Sequence, residues 1–266
     1  MLAFGEVAER LRRSTVQVFS TGKDQGGGSG VIWSSDGRVL TNAHVARAEQ
    51  ADVVLWDGRR LPARLVSRDA RRDLAELKVA ESGLPAATAG DSDALRPGEL
   101  AIAIGSPLGF AGALSTGVIH SVGPIAGMGP ERWIGASVRL APGNSGGPLA
   151  DARGRVVGIN TAIVNGLGVA VPSNAAVDFL RRGARPSLGV TLQPVSHGMQ
   201  IVAVDPSGAA AAASLRPGDI LVGTHERLLE TLDSGSDTLR LPFFRGDVSR
   251  LREVFVRVAP RRAEAA

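Results

Sequence analysis

Short runs of Val, Ile, Leu and Ala recur along this chain, and turns rich in glycine separate them. Glycine accounts for 34 of 266 residues, about 13% where about 7% is usual. It follows no three-residue period, which excludes a collagen-like fibre. Apolar runs this short, punctuated this often, predict a β-rich fold. Gly30-Val31-Ile32-Trp33 and Arg38-Val39-Leu40-Thr41 flank Ser34-Ser35-Asp36-Gly37, a hairpin signal. Asp52 to Trp56 and Arg59 to Val66 flank Asp57-Gly58 in the same way, and Asp73 to Ala80 reads as a further strand. A second set of strands is expected at Glu99 to Ile104, Ser115 to Ser121, Ile134 to Leu140, Arg155 to Val164 and Gly168 to Val171. Strands at this spacing suggest barrels or a sandwich. Helical spacing is confined to Val7–Arg13 and Asn174–Arg181, the latter with Ser173 as an expected N-cap.

Gly183 to Ser187 interrupts the pattern and predicts a domain boundary. The remainder reads as strand (Leu188 to Leu192), strand (Met199 to Val204), Ala-rich helix (Ala209 to Ser214), strand (Asp219 to Val222), helix (His225 to Leu232), and strands near Leu239 and at Glu253 to Val258. The tail Arg261 to Ala266 is expected to fray.

Charge and composition exclude several classes. The net charge is +4, and no block of five like charges appears, so neither nucleic acid nor a membrane surface is an expected partner. All but two of the 30 basic residues are Arg. Cysteine is absent and the four histidines (His44, His120, His197, His225) lie far apart, so no disulfide framework and no metal site is expected. Residues 1–18 carry Glu6, Glu9, Arg10, Arg12 and Arg13, unlike a secretory leader, and no 18-residue apolar run follows. The chain as it stands is thus expected in the cytoplasm, or in the periplasm or another extracytoplasmic space if it is a piece of a longer protein.

The informative heptapeptide is Gly143-Asn144-Ser145-Gly146-Gly147-Pro148-Leu149. Its glycines allow a sharp turn that exposes a serine hydroxyl and aims backbone N–H groups at one point, as acyl transfer requires. Serine alone is a weak nucleophile at neutral pH. Thr41-Asn42-Ala43-His44-Val45 offers a base, and Asp73, in Arg71-Arg72-Asp73-Leu74-Ala75-Glu76-Leu77, offers a carboxylate to orient it. The order His, Asp, Ser is that of chymotrypsin and differs from that of subtilisin or the α/β-hydrolases.

With these stand Gly28-Ser29-Gly30-Val31-Ile32, Gly90-Asp91-Ser92, Ala103-Ile104-Gly105-Ser106-Pro107-Leu108-Gly109, Pro142 to Leu149 and Gly158-Ile159-Asn160-Thr161-Ala162-Ile163. Together they resemble the HtrA/Deg family of chymotrypsin-fold serine proteases with a C-terminal PDZ domain, over about residues 10–180. The resemblance implies a mainly β fold: a chymotrypsin-like double β-barrel in residues 1–183, then a small α+β PDZ domain in residues 184–262. It implies Ser145 as nucleophile, His44 as general base and then acid, Asp73 as the group orienting the imidazole, and the N–H groups of Gly143 and Ser145 as the oxyanion hole, with no cofactor or metal. By similarity Leu140, Val164 and Leu167 line an aliphatic specificity pocket, which suits a small apolar residue before the scissile bond. Arg139 stands where the family commonly has a small residue, and the Asn165-Gly166 loop is short.

The C-terminal part resembles a PDZ domain at two places. Ser187-Leu188-Gly189-Val190 matches the loop that takes a peptide's terminal carboxylate. Leu215-Arg216-Pro217-Gly218-Asp219-Ile220-Leu221 matches a turn-and-strand signature, though Gly223-Thr224-His225 replaces the usual Asn-Gly. Arg245-Gly246-Asp247 reads as a hairpin turn. The resemblance implies unfolded polypeptides as substrates, peptide C-termini as PDZ ligands, and a homotrimer joined through aromatic residues such as Phe4 and Phe19. The alternative is a latent or inactive protease acting as a peptide-binding, chaperone-like protein, with Phe110 to Ser115 and Gly123 to Trp133 as its activation segments.

Overall fold

The computed structural model describes residues 4–20, 27–106, 112–182, 187–232 and 236–258. The chain forms two compact units that meet in sequence at Gly183 and Ala184. The expected frayed tail, and Phe110 of the first expected activation segment, lie outside the described residues.

The first unit opens on helix α1 (Phe4–Ser14), which buries Val7 and Leu11, one turn apart. Its Glu9 pairs with Arg12 and Arg13, three and four residues on. Hydrogen bonds from these guanidinium groups hold the Glu9 carboxyl down at about 2. Strands β1 (Thr15–Ser20), β2 (Gly27–Ser34), β3 (Arg38–Thr41), β4 (Gln50–Val54), β5 (Arg60–Asp69) and β6 (Leu74–Val79) follow. They close into an antiparallel barrel in the order β1-β2-β3-β6-β5-β4. The alternation of apolar residues explains the closure. Val16 and Val18 of β1, Ile32 of β2, Val39 of β3, Val53 of β4 and Leu77 and Val79 of β6 all point inward and exclude solvent. The turn between β2 and β3 needs glycine. Gly37 has φ +97, and a Cβ there would press on the Glu81 carbonyl at 2.8 Å.

The second barrel contains β7 (Leu100–Gly105), β8 (Ala113–Pro124), β9 (Arg132–Ala136), β10 (Pro148–Ala150), β11 (Val156–Val164) and β12 (Leu167–Pro172), in the order β10-β11-β12-β9-β8-β7. Its interior mixes large with small: Ile119, Ile134, Leu149 and Val157 beside Ala101, Ala103, Ala136 and Ala170. Strand β10 is only three residues long and was not foreseen from the sequence.

Three local expectations are corrected. The strand foreseen from Ile134 to Leu140 stops at Ala136. Beyond it, the Ser137 N–H still donates to the Val118 carbonyl at 3.0 Å, and serine hydroxyls supply the next bonds. Ser137 Oγ accepts the Val118 N–H at 3.0 Å, and Ser115 Oγ accepts the Arg139 N–H at 2.7 Å. The strand foreseen from Asp73 begins one residue later, because Asp73 has a left-handed backbone, φ +53. Ser173 is not an N-cap. It already lies within helix α2 (Ser173–Arg182), and its hydroxyl donates to the Gly90 carbonyl at 2.7 Å. Ser92, distant in sequence, takes that role. Its Oγ accepts the Asn174 N–H at 3.1 Å.

The second unit is a five-stranded antiparallel sheet in the order β13-β14-β15-β16-β17. The strands are β13 (Val190–Val195), β14 (Gly198–Val204), β15 (Ile220–Leu221), β16 (Thr238–Arg245) and β17 (Asp247–Arg257), with helices α3 (Ala209–Ala212) and α4 (His225–Leu232). Leu188, Ile201, Ala210, Leu221, Leu228, Leu239 and Val256 form its core. The Arg216-Pro217-Gly218-Asp219 turn is tied by Asp219. Its carboxylate accepts the Arg216 N–H at 2.8 Å and both Nε and Nη2 of Arg245 at 2.7 Å. Arg245-Gly246-Asp247 is the turn between β16 and β17, with Gly246 at φ +74, so its arginine is engaged inside the unit.

Candidate active site

The first barrel delivers an imidazole and a carboxylate. Just past β3, residues 42–46 turn back on themselves, with the Val45 and Ala46 N–H groups donating to the Asn42 carbonyl at 3.1 and 3.0 Å. This leaves His44 exposed between buried Ala43 and Val45. Asp73 is brought to it by the tight loop between β5 and β6. Asp69 Oδ1 accepts the Arg71 and Arg72 N–H groups at 3.0 and 3.1 Å. The left-handed Asp73 then turns its carboxylate back toward His44.

The carboxylate grips His44 twice. Oδ2 lies 2.7 Å from His44 Nδ1, and Oδ1 accepts the His44 backbone N–H at 3.0 Å. With Nδ1 bonded to the carboxylate, the ring's proton sits on Nδ1 and Nε2 is left as the basic nitrogen. The Asp73 side chain is one-fifth exposed and the His44 ring about two-fifths. Two residues the sequence reading passed over complete the grip. Thr161, in β11, donates its hydroxyl to Asp73 Oδ2, and Asn42 Nδ2 donates to the Asp73 carbonyl at 2.8 Å. The stretch Gly158 to Ile163 was a signal for Thr161, but nothing in its spacing linked it to Asp73.

The second barrel delivers the serine. Ala141-Pro142-Gly143-Asn144 is a β-turn closed by Asn144 N–H to the Ala141 carbonyl at 3.0 Å, with Gly143 at φ +104. Proline second and a positive-φ glycine third define a type II turn. The backbone donors that follow can be counted. Gly146 N–H donates to the Asn160 carbonyl at 2.8 Å and Gly147 N–H to the Asn144 carbonyl at 3.0 Å. Proline 142 has no N–H. Among the described backbone donors from Gly143 to Gly147, those of Gly143 and Ser145 have no acceptor. The Ser145 carbonyl accepts the Ser29 N–H at 2.7 Å, fixing the serine to the first barrel. The Ser145 hydroxyl donates to the Thr161 carbonyl at 3.3 Å, a long contact for an O–H donor. Thr161 therefore touches both the serine and the aspartate.

Leu140, Val164 and Leu167 are half-buried. Val164 and Leu167 are cross-strand partners beside the two-residue Asn165-Gly166 turn, whose φ values of +51 and +79 suit a tight hairpin. Leu140 lies over Gly168: a Cβ on that glycine would stand 3.0 Å from Leu140 Cδ1. The Arg139 side chain is exposed. In the other unit, Ser187 is exposed and Leu188 is buried, while Gly189 (φ +69) precedes Val190, the first residue of β13. Ser187 Oγ accepts the Gly189 N–H at 3.2 Å.

Two six-stranded barrels with His44, Asp73 and Ser145 arranged in this way define a trypsin-like, chymotrypsin-fold protein. Comparison with known proteins agrees. A model of the trypsin-like peptidase domain matches residues 28–159. A Synechocystis sp. protein designated serine protease HhoB is 40% identical over 235 residues, 75% of this chain and 56% of that protein. A Halomonas elongata protein designated a DegP-like periplasmic serine endoprotease is 38% identical over 259 residues, 87% of this chain and 53% of that protein. The chain thus spans about half the length of these curated relatives. Among solved structures, the HtrA-type protease AlgW with a tripeptide superposes with TM-score 0.68 at 30% identity, covering 98% of both chains. A serine endoprotease from Yersinia pestis superposes with TM-score 0.64 at 27% identity, again covering 98% of both. The chain belongs to the HtrA/Deg family of trypsin-like serine proteases.

Proposed function

We propose that this chain is a serine endopeptidase that cleaves unfolded or damaged polypeptides by acyl transfer through Ser145, His44 and Asp73. Ser145 Oγ attacks the scissile carbonyl while His44 Nε2 takes its proton. Asp73 holds the Nδ1–H and stabilises the imidazolium. The carbonyl oxygen becomes an oxyanion held by the N–H groups of Gly143 and Ser145. His44 then protonates the leaving amine. Water, activated by the same imidazole, releases the acyl group. The observation that carries this reading is the pair of unengaged donors at Gly143 and Ser145, on the turn that bears the serine. Casein cleavage abolished by Ser145→Ala supports it, and unchanged cleavage contradicts it.

The half-buried aliphatic residues Leu140, Val164 and Leu167 support a preference for a small apolar residue before the scissile bond. Cleavage of a peptide library mainly after Lys or Glu would remove that preference.

A latent protease is the second reading. One observation favours it: the Ser145 hydroxyl donates to the Thr161 carbonyl and so is not committed to His44. The open Gly143 and Ser145 donors favour the active reading.

For residues 184–262 we propose a PDZ-like peptide-binding module. Strand β13 pairs only with β14 among the described residues, so its other edge can accept an extended peptide. Ser187, Leu188, Gly189 and Val190 would receive the terminal carboxylate. Binding of a peptide with a free C-terminus but not its C-terminal amide tests this. The exposed rings of Phe4 and Phe19 support a homotrimer, which light scattering would test. The periplasmic designation of the Halomonas relative supports a site of action outside the cytoplasm, which cell fractionation would test.

A further inference from the structure

Ser29 lies in β2 of the first barrel and is fully buried. All of its polar atoms are engaged. Its N–H donates to the Ser145 carbonyl at 2.7 Å. Its carbonyl accepts the Thr41 hydroxyl at 2.7 Å. Its own hydroxyl donates to the Gly143 carbonyl at 2.6 Å and accepts the Ser106 N–H at 2.9 Å. Two of these four bonds thus reach the turn that carries the nucleophile, and a third reaches the end of β7.

Glycines of the second barrel line the approach to Ser29. A Cβ on Gly146 would collide with the Ser29 carbonyl oxygen and the Thr41 hydroxyl. One on Gly147 would stand 3.2 Å from Ser29 Cβ, and one on Gly105 would stand 3.0 Å from Ser29 Oγ. Three glycines of the second barrel therefore let one serine of the first barrel enter among them.

We propose that Ser29 is a positioning residue for the oxyanion site, acting through the Gly143 carbonyl. The geometry gives the route. The peptide unit joining Gly143 to Asn144 is held at one end by Asn144 N–H to the Ala141 carbonyl, and at the other by Ser29 Oγ to the Gly143 carbonyl. Both anchors fix the Gly143 Cα and the plane leaving it. With that plane fixed, φ +104 at Gly143 sets the direction in which its own N–H points. Without the hydroxyl, the carbonyl of half-buried Gly143 loses the partner it has in the protein. The turn then rotates to find one, carrying the Gly143 N–H away from the oxyanion. The inference rests on the acyl-transfer reading and adds a residue to it that touches no substrate.

The test uses the full chain with Ser29→Ala, Ser29→Thr and Thr41→Val. Thr41→Val is the control, since it removes a hydrogen bond from the same residue without touching the Gly143 carbonyl. Each variant is measured for kcat and KM on a fluorogenic peptide, for inhibition by a peptide boronic acid, and for Tm. Ser29→Ala is expected to lower kcat by about 10- to 100-fold, the scale of a misplaced catalytic group, with KM within about twofold. Boronic acid affinity falls in parallel, because that adduct uses the same donors. Ser29→Thr, which keeps the hydroxyl, recovers most of kcat, and Thr41→Val keeps kcat near wild type. A Ser29→Ala enzyme with wild-type kcat overturns the proposal. So does a Thr41→Val enzyme with the same loss, which would make the effect one of general stability. A wild-type chain that neither cleaves the peptide nor binds the boronic acid would instead overturn the acyl-transfer reading itself.

Discussion

Asp73 holds His44 by two separate bonds, one to the ring at Nδ1 (2.7 Å) and one to the backbone N–H (3.0 Å). The first orients the imidazole and the second fixes the main chain from which it hangs. A carboxamide can reproduce the second bond but reverses the tautomer that the first imposes. Asp73→Asn is therefore expected to lower kcat by about 10⁴-fold with little change in Tm. Steady-state kinetics beside thermal unfolding check this. A loss of activity matched by a collapse of Tm would mean that the residue is structural.

Thr161 supplies the third bond to that carboxylate, through its hydroxyl. Thr161→Val keeps the shape and removes the donor. The expected result is a fall in kcat of about tenfold, the cost of one net hydrogen bond of about 1.4 kcal/mol. The fall should vanish in the Asp73→Asn background, since the two act through one group. A double-mutant cycle on kcat measures it.

The proposed specificity pocket gives a third expectation. Leu140 covers Gly168, beside the Val164–Leu167 pair. Leu140→Ala opens space there, so cleavage should shift from small toward larger apolar residues, by about 10-fold in relative kcat/KM. Mass spectrometry of a cleaved peptide library reads the shift. An unchanged profile would place Leu140 outside the pocket.

The second unit has a pH-dependent tie at Asp219. Burial alone would raise its carboxyl, but the Arg245 guanidinium and the Arg216 N–H outweigh burial and hold it below the ordinary aspartate value of 3.8. A carboxyl lowered on folding adds stability above its unfolded value, and loses it as pH falls through the lower folded value. Protection of amides in residues 187–258 from hydrogen exchange should therefore fall below about pH 4. Asp219→Asn should reduce that protection at neutral pH, by about 1.5–3 kcal/mol, the scale of hydrogen bonds to a charged group, and flatten its dependence below pH 4. Equal pH dependence in the two proteins would contradict this.

The sequence showed the barrels because apolar residues alternate within runs bounded by glycine turns, as in Gly30–Ile32 opposite Val39–Leu40. His44, Asp73 and Ser145 stand out in the sequence because each sits in a short string whose backbone needs are distinctive. Four features were not legible, and three of them depend on contacts distant in sequence. Thr161 reaches Asp73 across 88 residues, and Ser29 reaches Gly143 across 114. Ser173 looks like a cap in its local string. The helix is instead capped by Ser92 from 82 residues away, and this frees the Ser173 hydroxyl to bond Gly90. Strand β10 was missed because three residues of Pro148-Leu149-Ala150 carry no measurable period.

The most direct test of the account is labelling with a fluorophosphonate probe, which reacts only with a serine that has both an activating base and an oxyanion site. The wild-type chain should label, and Ser145→Ala and His44→Ala should not. No labelling of the wild-type chain would contradict an active site assembled as described, and labelling of Ser145→Ala would show that the reactive serine lies elsewhere.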